Sequence, residues 1–315
     1  MVIRIPNWLG DALMATPVYY NLCKKEKIYL FGPPQIVELF KVFPNTKILY
    51  YEKGNTKKNI ETLAPFKNEV GLLLTNSFSS AWLFFRAGLR ERWGYAKDLR
   101  SLLLTKAVKP PHKKMHQRDY YLYLLSSLKL PNEFKELFLP LKEEFLESTK
   151  KFLKELKDKP FIVLAPGAAY GPAKMWPKEY YRELAYYLVK KGFAVVIIGG
   201  EKEVGEFIRK DLEGIYNFCG KTQLTEVAGI FSFAKAVISN DSGLMHLAAA
   251  LKVPQIAIFG STDPEKTGPL NERAIVLKKE FPCSPCFKRT CKYGHYECLK
   301  SILPDEVIKI LEKLI

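Results

Sequence analysis

Three short stretches of the 315-residue chain hold residue types suited to an anionic, activated substrate. The first is Ser239-Asn240-Asp241-Ser242-Gly243-Leu244-Met245-His246, lying between an apolar run and a helix-like one. Asn, Asp and Ser there are good helix caps. The same helix start offers unpaired backbone N–H groups and the positive dipole end to a phosphate. Ser242 and Gly243 would let phosphate oxygens approach closely, with His246 about one turn further in. A lone His on an apolar helix is more often a core residue, but the Asp-Ser-Gly entrance favours a ligand role. The second stretch is the Gly- and Pro-rich loop 166–177, whose single charge, Lys174, suits a diphosphate. A solvated surface lysine is the plain alternative. The third is Gly10-Asp11. Gly10 permits close approach of a substrate, and Asp11 is placed to accept the proton of an attacking hydroxyl. Asp11 could equally cap a following helix, and the two roles are compatible.

A fourth stretch, Gly199-Gly200-Glu201-Lys202-Glu203, follows an apolar run that reads as a strand. Nucleotide folds hold ribose hydroxyls with an acidic residue at such a strand end, so Glu201 and Glu203 are both candidates. No GxGxxG follows the first strand of either half, which counts against a dinucleotide-dependent dehydrogenase.

These stretches need elements to position them. The chain opens strand (2–5), loop (6–11), helix (12–22), then strand (27–31) and helix (35–42), with further strands at 47–51 and 70–75. An amphipathic, charged segment at 133–158 ends the first half. The pattern restarts with a strand at 161–165, a loop, a helix at 178–191 and a strand at 194–198. Helices at 203–212 and 224–234, a strand at 236–239, a helix at 244–251 and a strand at 255–259 follow. Alternation of this kind predicts an α/β fold of two doubly wound, mostly parallel domains, 1–158 and 159–315. Ligands of such sheets bind outside the C-terminal strand ends, so two facing domains would enclose one cleft.

At 48% hydrophobic residues the chain can bury two cores. No stretch reaches the roughly 18–20 apolar residues of a membrane span, and MVIRIPNWLGD lacks a signal-peptide layout, so a cytoplasmic protein is expected. The net charge is +16, and residues 86–118 carry ten basic side chains against two acidic ones. That field suits nucleic acid, anionic lipid or a phosphorylated glycan. A nucleic-acid-binding protein would leave both phosphate-suited loops unexplained, so no nucleic-acid partner is expected.

With these residues in place, NWLGDALMATPVYYNL, PGAAYGPAKMWPKEYYRELA, SNDSGLMHLAAAL, IFGSTDP and CSPCFKRTCKYGHYECL, in that order, resemble glycosyltransferase family 9 nearly end to end. They resemble its heptosyltransferase II branch more than its heptosyltransferase I branch; types I and III and other sugar-nucleotide transferases remain the alternatives. The resemblance implies the glycosyltransferase-B fold and an inverting transfer that needs no metal or other cofactor. It implies ADP-heptose as donor and heptosyl-Kdo2-lipid A, a phosphorylated glycolipid, as acceptor, at the inner face of the inner membrane. By the same resemblance Asp11 is the base and Lys174 the diphosphate partner. Gly10, Glu201 or Glu203, Thr222, Leu224, Asp241, Ser242, Gly243 and His246 serve the donor. Asn76, Ser77, Arg100 and Arg118 are expected at the acceptor.

Cys283, Cys286, Cys291 and Cys298, with His295 among them, open on a CxxC but continue at irregular spacing. Structural zinc, a disulfide and free thiols all fit that pattern, with zinc not favoured.

Overall fold

The computed structural model describes residues 1–315. The chain divides into two compact units, Met1–Pro140 and Leu141–Ile315. The first contains a six-stranded sheet of β1 (Val2–Arg4), β2 (Ile28–Gly32), β3 (Thr46–Tyr50), β4 (Val70–Leu73), β5 (Glu91–Tyr95) and β6 (Lys106–Val108). The second contains β7 (Phe161–Ala165), β8 (Ala194–Ile197), β9 (Ile215–Asn217), β10 (Ala236–Asn240), β11 (Gln255–Phe259) and β12 (Ala274–Lys278). Their spatial orders are β3-β2-β1-β4-β5-β6 and β12-β11-β10-β7-β8-β9, and every pairing is parallel. Counted from its own first strand, each sheet has the Rossmann order 3-2-1-4-5-6. Two such units make up the glycosyltransferase-B fold.

Parallel strands covered on both faces by helices read as unbroken apolar runs. Phe161-Ile-Val-Leu-Ala165 and Gln255-Ile-Ala-Ile-Phe259 are buried at every position. The second core gathers Ile162, Leu164, Trp176, Tyr181, Ile238 and Ile256, and the first Val2, Phe31, Leu73 and Phe84.

Two expectations are corrected. The helix expected over 12–22 is broken into Leu9–Met14 and Thr16–Cys23, because Pro17 lacks the N–H that a continuous helix would need. The unit boundary falls at Pro140 rather than 158. The helix Glu143–Glu155 belongs to the second unit, where it packs on the helix Leu224–Phe233. A Cβ on Gly229 would lie 2.1 Å from Thr149 Oγ1, so glycine lets the two helices touch. Thr149 Oγ1 also lies 3.3 Å from the Glu226 carbonyl, Lys151 pairs with Glu226 at 2.7 Å, and Phe152 packs on Phe218.

Candidate functional site

In a sheet of order 3-2-1-4-5-6 the chain leaves strands 1 and 4 in opposite directions, and a crevice opens outside their carboxyl ends. In the second unit those strands are β7 and β10. The loop after β7 carries Lys174, and the loop after β10 carries Asp241, Ser242 and Gly243. Asn240 ties the two together. Its Nδ2 donates to the Pro166 carbonyl at 2.6 Å, while its Oδ1 accepts from Trp176 N at 3.0 Å and Tyr181 Oη at 3.1 Å.

Lys174 Nζ lies 2.5 Å from Asp241 Oδ2, and Thr262 Oγ1 donates to that same oxygen at 2.5 Å. Both partners are largely sequestered, with side-chain exposures of 13% and 4%. Asp241 is therefore the counter-ion that holds Lys174. Ser242 caps the helix Gly243–Ala250 through an extended backbone, with no side-chain cap hydrogen bond. The hydroxyls of Ser242 and Ser261 are buried without a hydrogen-bond partner. His246 is buried in the first turns of the same helix, 3% exposed.

Glu201 and Glu203 separate cleanly. Glu201 folds over the end of β7: a Cβ on Gly167 would sit 1.9 Å from Glu201 Oε2, and Gly200 N donates to that oxygen at 3.1 Å. Glu203 is exposed in the first turn of the helix Lys202–Arg209. Burial, then Glu201 and Glu206, pushes the neighbouring Cys219 thiol up to about 12. Thr222 and Leu224 are half-buried where the loop enters Leu224–Phe233, whose start is fixed by a Gln223–Glu226 capping box.

In the first unit, strands 1 and 4 are β1 and β4. Asp11 follows β1 in the first turn of Leu9–Met14, with half-buried Gly10 before it. Trp8, not Asp11, is the cap residue. Asp11 raises the Tyr19 and Tyr121 hydroxyls further, on top of the burial that dominates both shifts. Sequence reading missed Arg4, 2% exposed at the end of β1. Its guanidinium donates to the Ile5 carbonyl at 2.5 Å and Asn7 Oδ1 at 2.5 Å, and stacks on Tyr51 at 4.0 Å. It thus braces the loop leading to Asp11, and burial lowers its pKa to about 10. A charged residue inside an apolar strand was the available signal.

Asn76 and Ser77 follow β4. Asn76 Nδ2 donates to Tyr120 Oη at 3.3 Å, and Ser77 caps the helix Phe78–Arg86. Arg100 corrects an expectation. It has no exposed surface, and its guanidinium donates to the Tyr95 carbonyl at 2.8 Å and to the Thr75 carbonyl. It shapes the loop before Asn76 and has no face for an acceptor. Arg118 pairs with Asp119 at 2.7 Å and donates to the Lys135 carbonyl at 2.8 Å. The four clustered cysteines are free thiols, and no three His, Cys, Asp or Glu side chains are grouped to hold a metal ion. No helix is long and apolar enough to cross a membrane.

A profile of glycosyltransferase family 9 (heptosyltransferase) matches residues 58–297. Lipooligosaccharide heptosyltransferase 2 of Campylobacter jejuni subsp. jejuni serotype O:6 is 30% identical, the alignment covering 99% of this chain and 98% of that one. Lipopolysaccharide heptosyltransferase 2 of Escherichia coli K12 is 29% identical over 98% and 97%. Among solved structures, E. coli ADP-heptose LPS heptosyltransferase II superposes with a TM-score of 0.86 at 28% identity, covering 99% and 97%. A family 9 glycosyltransferase of Veillonella parvula superposes with a TM-score of 0.85 at 24% identity, covering 99% and 96%.

Proposed function

The chain belongs to glycosyltransferase family 9, and from that premise we propose that it transfers L-glycero-D-manno-heptose from ADP-heptose to heptosyl-Kdo2-lipid A, with inversion. The observation that carries this reading is the Lys174–Asp241 pair at the switch point of the second sheet, where Gly243–Ala250 starts without a side-chain cap hydrogen bond. A lysine and a helix start both stabilise charge on a departing diphosphate.

In this reading Asp11 takes the proton of the acceptor hydroxyl. That oxygen attacks the anomeric carbon from the face opposite ADP, and the bond to the diphosphate breaks. Lys174 and the backbone N–H groups at Ser242-Gly243 stabilise the charge gathering on the leaving ADP; no metal is required. Glu201 holds the ribose, since it lies at the strand ends and Glu203 does not. Thr222 and Leu224 border the adenine, and His246 backs the phosphate loop. Asn76, Ser77 and Arg118 serve the acceptor.

The acceptor is a phosphorylated lipid, so the enzyme works at the cytoplasmic face of the inner membrane. The basic stretch 86–118 supports this, as do Leu99 and Leu102, 90% and 95% exposed within it. Two measurements test the proposal. ADP-heptose should raise the unfolding temperature where UDP- and GDP-sugars do not. Purified enzyme should then add one heptose to heptosyl-Kdo2-lipid A. Stabilisation by another sugar nucleotide, or transfer to unheptosylated Kdo2-lipid A in preference, would refute it.

A further inference from the structure

The cysteine-rich segment takes no part in the mechanism above, yet it is stitched onto the loop that carries Lys174. Tyr170 Oη donates to the Phe287 carbonyl at 2.7 Å, and Ala173 N donates to the Arg289 carbonyl at 3.0 Å. Phe287 N donates to the Ser261 carbonyl at 2.7 Å, and Ser284 Oγ to the Gly260 carbonyl at 2.7 Å. Gly171 has a φ of +142°, and a Cβ there would meet the Arg289 carbonyl at 2.6 Å, so glycine is what allows the segment to lie this close.

This stitching brings two cations to one ring. Lys174 Nζ lies 4.7 Å from the Tyr170 ring centroid, and the Arg289 guanidinium 5.4 Å from it. Their situations differ. Lys174 is neutralised by Asp241, so on its own it brings no net charge to a ligand. Arg289 is exposed and has no carboxylate partner. A nucleoside diphosphate carries more negative charge than a helix start and an already paired lysine can match. Ser261, 1% exposed with its hydroxyl unpartnered, joins the two stitched segments: its N donates to the Ala173 carbonyl at 3.3 Å and its carbonyl accepts from Phe287 N.

We propose that Arg289 is the second cationic ligand of the donor diphosphate, delivered by the cysteine-rich segment folded over the Lys174 loop. The inference rests on the donor reading above. Arg289 supplies the uncompensated charge, and Lys174 the short, fixed contact. Tyr170 holds both cations at its ring and is itself anchored to Phe287.

The test compares wild type, Arg289→Ala and Arg289→Lys for binding of ADP and of adenosine, with donor KM and kcat measured alongside. A charge-assisted contact predicts that Arg289→Ala weakens ADP by about tenfold or more and leaves adenosine unchanged. Donor KM should rise more than kcat falls, and Arg289→Lys should recover part of the ADP affinity. Equal losses for ADP and adenosine would overturn the inference, since they would mark a structural role. ADP affinity of Arg289→Ala equal to wild type would overturn it too, leaving the donor reading intact. Wild-type protein that binds no ADP would overturn both.

Discussion

The loops that leave β1 and β7 hold the same place in two sheets of identical strand order, and they carry opposite charges. After β1 the chain presents a carboxylate, Asp11; after β7 it presents an ammonium, Lys174. Their supports differ in kind. Lys174 is gripped directly by a buried Asp241 that Thr262 also engages. The loop before Asp11 is braced from beneath by Arg4, which binds the Ile5 carbonyl and the Asn7 side chain. A direct ion pair fixes the position of the Lys174 ammonium. The brace through Arg4 sets the loop that delivers the carboxylate. In the proposed mechanism one fold position thus serves an acid–base role in one unit and an electrostatic role in the other.

The largest expected effect tests the first half of that contrast. Asp11→Ala should lower kcat by about 10²–10⁴-fold, the range for loss of a general base. ADP affinity should stay at the wild-type value, read by calorimetry. Near-normal transfer by this variant would remove Asp11 from the mechanism and dissolve the contrast.

The second prediction separates chemistry from support at Lys174. Lys174→Met should lower kcat by about 10²–10³-fold, as for loss of one oxyanion-stabilising donor. Asp241→Asn should instead show first in stability. It leaves a sequestered ammonium without its partner, a change that costs about 3–5 kcal/mol in denaturant unfolding. The double variant should regain part of that stability and none of the activity. If Asp241→Asn unfolds like wild type while losing ADP, Asp241 meets the ligand itself and the support reading falls.

A smaller effect is expected at Gly167. An alanine there collides with Glu201 Oε2, so Glu201 must swing away from the end of β7. Donor KM should rise about tenfold or more, the worth of one charge-assisted hydrogen bond, with kcat little changed. Glu203→Ala serves as the control and should change neither. The reverse ranking of the two would move the ribose contact to Glu203.

Much of this was legible in the sequence, for a physical reason. Buried parallel strands and phosphate-facing helix starts leave local marks: Phe161–Ala165 is an unbroken apolar run, and Asp241-Ser242-Gly243 is a helix entrance. The resemblance to family 9 then named roles that spacing alone left open between cap and base, or between ligand and core. What stayed hidden depends on non-local contacts. The strands β5, β6, β9 and β12 lie at or next to a sheet edge and are only partly buried, and Glu91, Arg92 and Lys106 made the first two read as a basic surface. Arg100 looked like an acceptor ligand because charge was all the sequence offered, and only the fold turns it inward to the Tyr95 and Thr75 carbonyls. The Glu143–Glu155 helix is assigned to its unit by Gly229, 80 residues from Thr149 in sequence but touching it in space. That Asp241 holds Lys174 could not be read from residues so far apart in sequence.

The smallest expected effect on activity concerns the thiols, and it extends the comparison of the two units. Each unit keeps one cysteine in its interior, Cys23 and Cys219. Burial, ahead of any neighbouring charge, raises these thiols to about 11 and about 12. Only the second unit adds the segment of four. Within it Cys298 is raised, first by burial and then by Cys283, Cys286 and Cys291. Cys291 goes the other way: the backbone N–H of Tyr296, with those of Tyr293, Gly294 and His295, favours its thiolate and lowers it. The thiolate is the nucleophile, so a lowered pKa means a larger reactive fraction at neutral pH and a raised one means less. Iodoacetamide at pH 7.5 should therefore label Cys291 first, with Cys23 and Cys219 last, as followed by peptide mass mapping. The labelling rate at Cys291 should level off at a lower pH than that at Cys298. Single labelling at Cys291 should leave kcat unchanged and touch only donor KM, because the modified residue stands two positions from Arg289 and far in chemistry from Asp11. Labelling of Cys219 ahead of Cys291 would mean that the second core opens more readily than its stitched segment.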